Sequence, residues 1–142
     1  MLRLARTLAA LWMGSLWTIC AIAAPLSFAT VERHEAGRLV GLFFRVSTWL
    51  GVALAAAILA TAGLSRSSRF PFRSDKPSLW LIGVSALAPL CSELVVSPFM
   101  EQARVAGDMR TFGMWHGVAA ALFLVACLGT LALVWRLNRP AE

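Results

Sequence analysis

Charge is almost missing from four stretches of this chain, and that scarcity limits what the chain can be. Residues 8–24, 46–64, 79–96 and 113–135 hold a single Asp, Glu, Lys or Arg between them, Glu93. Each stretch approaches or meets the roughly 20 apolar residues a helix needs to cross a hydrocarbon core of about 30 Å. With 59% hydrophobic residues among 142, a soluble domain would be left with large aggregating patches. A bilayer accepts that surface, and a helix satisfies its own backbone polarity there. The alternation of polar and apolar residues that marks barrel strands is absent as well. The expectation is an all-α polytopic membrane protein, one domain over residues 1–142, folded as an antiparallel bundle of four transmembrane helices.

Other absences narrow the chemistry. Cys20, Cys91 and Cys127 lie one to a stretch, with no C-x-x-C and no paired spacing. Neither a disulfide framework nor a zinc site is indicated, and each cysteine reads as a small buried hydrophobe. There is no glycine-rich phosphate loop, no G-x-S-x-G and no usefully spaced pair of carboxylates, which argues against an enzyme. Ser85, Ser92 and Ser97 read as bonding carbonyls or neighbouring helices rather than attacking substrates. Haem would need two facing axial ligands, and His34 and His116 are the sole histidines.

What charge there is sits between the stretches. A net charge of +6 resembles a nucleic-acid signal, but topology explains it better. With both termini inside, eight of the 13 Lys and Arg residues fall in the cytoplasm and five outside, as the positive-inside rule favours. The connection over residues 65–78 is the one long loop, rich in serine, proline and arginine, and suits anionic headgroups. Abundant arginine over lysine, with high alanine and leucine, points to a bacterial inner membrane. At the N-terminus, Met1–Arg6, the apolar run to Cys20 and Ala21-Ile22-Ala23 also fit a cleaved signal peptide. The length of the run, Trp12 and Trp17 within it, and Pro25 just past the cut favour a retained span.

Local features fill in the spans. Ala10, Gly14 and Thr18 form a small-residue face for helix contact in the first, which Pro25 is expected to end. The second helix is expected to start near Thr30 as cap and run unbroken over residues 31–64, longer than the bilayer core. It carries small pairs at Gly37/Gly41 and Gly51/Ala55. Span three contains Pro89 and stops at Pro98; span four opens at Met114-Trp115-His116-Gly117. Trp80, Trp115 and Trp135 lie near span ends, as interfacial belts require. The two outer connections follow a similar course, Pro25, Phe28, Glu32, Ala36-Gly37 against Pro98, Phe99, Glu101, Ala106-Gly107.

The pattern Trp12-x-Gly14-x-Leu16-Trp17, then Ala24-Pro25-x-x-Phe28, then Ala36-Gly37-x-x-x-Gly41-x-x-Phe44, resembles the signature of the transmembrane protein 205-like family, domain of unknown function 4149. Pro98-Phe99-Met100 before Arg104, and Trp115-His116-Gly117, are similar to it too. The resemblance implies a four-helix integral membrane protein with no established catalytic role. The family's eukaryotic namesake is associated with platinum-drug tolerance, and copper-resistance inner-membrane proteins of the D type are distantly similar in layout. Glu93 is not part of the signature.

Glu93 is the costliest residue in the chain, since a carboxylate in a span must be paired, protonated or reached by water. Arg45 and His116 stand at the outer entrances of spans two and four, so an outer cluster of Glu93 with Arg45 or His116 is expected. A purely structural pair, or a glutamate that snorkels to water, fits the same residues. His34, Met100, Met114 and His116 would all face the outer side, with Met109. Imidazole and thioether groups suit copper(I), so a soft-metal site on His34, His116, Met100 and Met114 is one reading. Interfacial methionine packing is the other, and no M-x-M, H-x-H or His-x-x-x-Met concentrates the ligands. Arg38 and Arg45, seven apart with Phe43 and Phe44 between them, offer a lipid-headgroup site. The leading function is a small non-enzymatic accessory or structural membrane protein without cofactor. Its partners would be membrane lipids and a second copy or another membrane protein, not nucleic acid. The rival is transport or copper handling through the outer cluster.

Overall fold

The computed structural model describes residues 1–64 and 76–139. All described secondary structure is helical. α1 (Leu2–Thr18) passes through a π turn (Ile19–Ala23) into the short α2 (Ala24–Thr30), and α3 follows (Arg33–Leu64). α4 (Lys76–Cys91) passes through a second π turn (Ser92–Val96) into α5 (Ser97–Val105), and α6 (Met109–Leu137) closes the chain. Both halves are thus one hairpin design: helix, π turn, short helix, long return helix. The similar course of the chain after Pro25 and after Pro98 is the trace of this repeat. Four helical segments are long and apolar enough to cross a membrane. The basic connection expected at 65–78 lies outside the described residues except for Lys76, Pro77 and Ser78, which open α4.

The prolines do not end the spans, contrary to expectation. Pro25 and Pro98 each fall at the second position of the short helix that continues the span. A proline ring collides with the carbonyl four residues back. A turn widened to five residues relieves that collision: the Ala24 N–H donates to the Ile19 carbonyl, and the Ser97 N–H to that of Ser92. Helix three starts later than expected for a related reason. Thr30 is the last residue of α2, its hydroxyl donating to the Leu26 carbonyl at 2.8 Å, and Val31 is extended. At the other hairpin, Gly107 takes φ +73, which glycine allows at no steric cost. Asp108 then caps α6 by accepting the Thr111 N–H at 3.1 Å, so α6 begins at Met109, five residues before the expected opening at Met114.

The long helices form a closed ring in which α1 packs on α3 and α6, and α4 on α3 and α6. The start of α1 and the end of α6 lie at the same end of this ring, where the Arg6 guanidinium donates to the Leu137 carbonyl at 2.8 Å. Ala5, Ala9, Trp12 and Leu16 supply the buried stripe of α1. That corrects the expected contact face: Ala10 and Thr18 are exposed and Gly14 is half-buried. A large residue can take the contact because Gly51 of α3 receives it; a Cβ on Gly51 would lie 2.8 Å from the Trp12 indole nitrogen. In the second hairpin the same device joins Gly129 of α6 to Ser85 of α4, whose hydroxyl stands where a Cβ on Gly129 would go. Ser85 is fully buried and its hydroxyl bonds to nothing, so its value there is its size rather than the hydrogen bond expected of it. Gly37 and Gly41 are exposed with open space around them. Gly51→Leu and Gly129→Leu are therefore expected to destabilise the bundle by about 1–3 kcal/mol, as overpacking does. Gly37→Leu and Gly41→Leu should leave it unchanged, all four measured by unfolding in mild detergent; equal losses at all four glycines would contradict this packing.

Candidate functional site

A charged pair bridges the two hairpins. The Arg45 Nε donates to Glu93 Oε1 at 2.5 Å, from α3 to the second π turn. The Glu93 side chain is 18% exposed and that of Arg45 60%, so the acid is sheltered while the guanidinium reaches the rim. Depth follows from helix geometry. α3 has 32 residues, about 48 Å of helix, some 18 Å more than a bilayer core. Arg45 is twelve residues from the start of α3 and Glu93 twelve from the end of α5, again about 18 Å. The pair therefore sits where the hydrocarbon ends, if the opposite end of α3 is level with the other boundary.

Of the two partners expected for Glu93, the structure selects Arg45. His116 makes no hydrogen bond or ion pair with Glu93 and instead lies parallel to Phe112, with ring centroids 6.0 Å apart. The early start of α6 is the reason. His116 is seven residues from the tip of its helix against twelve for Glu93, roughly 8 Å nearer the end of the bundle. The copper-ligand set is also dispersed in environment: His34 and His116 are exposed on different helices, Met114 is 58% exposed, and Met100 is half-buried on α5. Among the described residues no three of His, Cys, Asp and Glu come together to hold a metal. Arg38 and Arg45, the expected headgroup site, each have a carboxylate partner: Arg38 meets Glu35 at 3.1 Å on its own helix. Arg104 likewise pairs with Glu101 at 2.6 Å. Phe99 stacks on Trp115 at 5.1 Å and fixes α5 against α6 beside this rim.

Sequence reasoning missed one juxtaposition. Cys20 and Cys127, each alone in its stretch, lie near one another between the hairpins. Cys20 and Glu93 hold the same place in the two hairpins, five residues before the proline that follows the π turn. Each is turned to the long helix of the other hairpin, Cys20 to α6 and Glu93 to α3. Aligning the chain on Pro25 and Pro98 would have exposed the correspondence; nothing in cysteine spacing could.

The arrangement can hold two hairpins together and shield a carboxylate from lipid. Glu93→Gln and Arg45→Gln are each expected to destabilise the bundle. In a double-mutant cycle they should couple by about 0.5–3 kcal/mol, as contacting residues do. Strictly additive effects in unfolding measurements would mean that the pair bridges nothing.

The ion pair, both π turns and the two prolines lie inside a segment that matches a described family over residues 7–108. Neither a curated protein nor a solved structure matches the chain. The matched segment runs from α1 to the cap of α6 and covers well over half of the sequence, and the chain belongs to this family, Domain of unknown function (DUF4149).

Proposed function

We propose that this chain is a non-enzymatic accessory or structural protein of the bacterial inner membrane, crossing it four times with both termini in the cytoplasm. The observation that carries the reading is a filled interior. Trp12, Leu16, Ile58, Ile82 and Leu133 are all buried at 1% exposure or less. Two hollows beside Trp80 are open grooves lined by α4 and α6, with Trp80 and Trp135 exposed. A transported solute needs a hydrated path with polar groups along it; here the one acid of the four apolar stretches is at the rim, paired with Arg45. Orientation rests on the excess of Lys and Arg in the connections assigned to the cytoplasm.

Single cysteines placed in a variant lacking Cys20, Cys91 and Cys127 test this directly. In intact cells, a water-soluble methanethiosulfonate should leave Leu16→Cys, Ile58→Cys, Ile82→Cys and Leu133→Cys unmodified while reacting with Gln102→Cys on the outer connection. Modification of the four interior positions would reveal a hydrated path and sink the accessory reading in favour of transport. An unreactive Gln102→Cys that becomes accessible only after permeabilisation would reverse the orientation.

A further inference from the structure

One joint between the hairpins carries a pair of thiols. The Cys127 carbonyl accepts the Trp17 indole N–H at 3.3 Å and the Thr130 hydroxyl at 3.0 Å, which fixes α6 at this level against α1. Cys20 lies three residues beyond Trp17, one turn on along the same face. α1 starts and α6 ends at one end of the bundle, so the two helices run in opposite directions. Side chains lean toward the start of their own helix. That of Cys20 therefore leans back toward the level of Trp17. That of Cys127 leans away from its own carbonyl, in the direction α1 takes from Trp17 to Cys20. The two directions converge, and the cysteines lie near one another between the hairpins.

Access to the two sulfurs is unequal. Cys127 is 1% exposed, whereas Cys20 is open to the surroundings of the bundle. Cys127 is eighteen residues from the start of α6 and Glu93 twelve from the end of α5, which sets the cysteine about 9 Å further into the membrane than the ion pair. With that pair at the edge of the hydrocarbon, Cys20 faces acyl chains. A reagent that reaches it must dissolve in them, and Cys127 is then reached through Cys20 alone.

We propose that Cys20 and Cys127 are a modification site, oxidised by a hydrocarbon-soluble organic hydroperoxide to a disulfide that ties the two hairpins together. Access sets the order of events. The Cys20 sulfur attacks the hydroperoxide: an S–O bond forms, the O–O bond breaks, and the thiol hydrogen leaves on the alcohol. The Cys127 sulfur then attacks the sulfenic acid of Cys20. An S–S bond forms, the S–O bond breaks, and water leaves with the second thiol hydrogen. Two thiols are oxidised and one hydroperoxide is reduced to an alcohol and water. The bond would add a covalent tie to a joint otherwise held by polar contacts and packing, and would restrain the unfolded chain. The accessory reading is not a premise of this site.

Cumene hydroperoxide added to the C91S chain in vesicles of saturated phosphatidylcholine tests it. C91S removes an exposed thiol on α4 that has no place in the scheme. Both remaining thiols should be lost to alkylation under denaturing conditions, and the intact mass should fall by two hydrogens. Cyanogen bromide cuts after methionine and leaves Cys20 in peptide 14–100 and Cys127 in peptide 115–142. The two peptides should stay joined until a phosphine reduces them. With dimedone present, C91S/C127S should be labelled at Cys20 while C91S/C20S stays unlabelled. The oxidised chain should also unfold in mild detergent at a higher midpoint than the reduced one. Peptides that separate without reduction, or labelling of Cys127 equal to that of Cys20, would overturn the site. So would an unchanged midpoint, or joined peptides in C20S through Cys91 and Cys127. The peptide measurement alters neither thiol of the pair, so it decides the matter even where C127S fails to fold.

Discussion

Helices surrounded by lipid gain nothing from hiding apolar surface against one another, so their association depends on close approach and on polar contacts that lipid cannot supply. The bundle uses the two means in different places. Close approach works inside each hairpin, Trp12 on Gly51 in the first and Ser85 on Gly129 in the second. Between the hairpins the directed contacts dominate: Arg45 to Glu93, the Trp17 indole N–H to the Cys127 carbonyl at 3.3 Å, and Arg6 to the Leu137 carbonyl. Phe44 meets Phe123 edge-on across the ring at 4.5 Å. The polar contacts reach both ends of the bundle, so the second joint closes along its length rather than at one point.

The π turns belong to the same logic. Ending a span at proline would expose backbone groups at a depth where water is scarce. Widening one turn instead keeps the span continuous and redirects the side chains within it. In the second hairpin that turn carries Glu93, and its wider geometry presents the carboxylate to α3. The most expensive residue of the four apolar stretches thus sits in one of the two widened turns that precede the prolines.

Hydropathy made the four spans legible because hydrocarbon thickness imposes a length that no soluble fold requires. The cost of a carboxylate in a span likewise singled out Glu93, and helix depth narrowed its partners to two. Boundaries were read less well. Pro25 and Pro98 signal a stop by local rules, and only the five-residue turns let the spans pass through them. The contact face of α1 was read from small residues alone, whereas the structure pairs a large residue with a small one on the neighbouring helix; that choice is made between helices and leaves no local trace. The meeting of Cys20 with Cys127 is of the same kind, set by which helices become neighbours in the ring.

At the centre of this account is a single claim, that one ion pair locks the two hairpins together at the edge of the membrane. Solid-state NMR on protein in lipid bilayers tests it most directly, through the dipolar coupling between the labelled guanidinium nitrogens of Arg45 and the carboxyl carbon of Glu93. The account requires a coupling as strong as direct hydrogen-bonded contact gives, present in the bilayer as in the structure. Its absence in protein whose helices are otherwise intact would contradict the claim and leave the hairpins joined by packing alone.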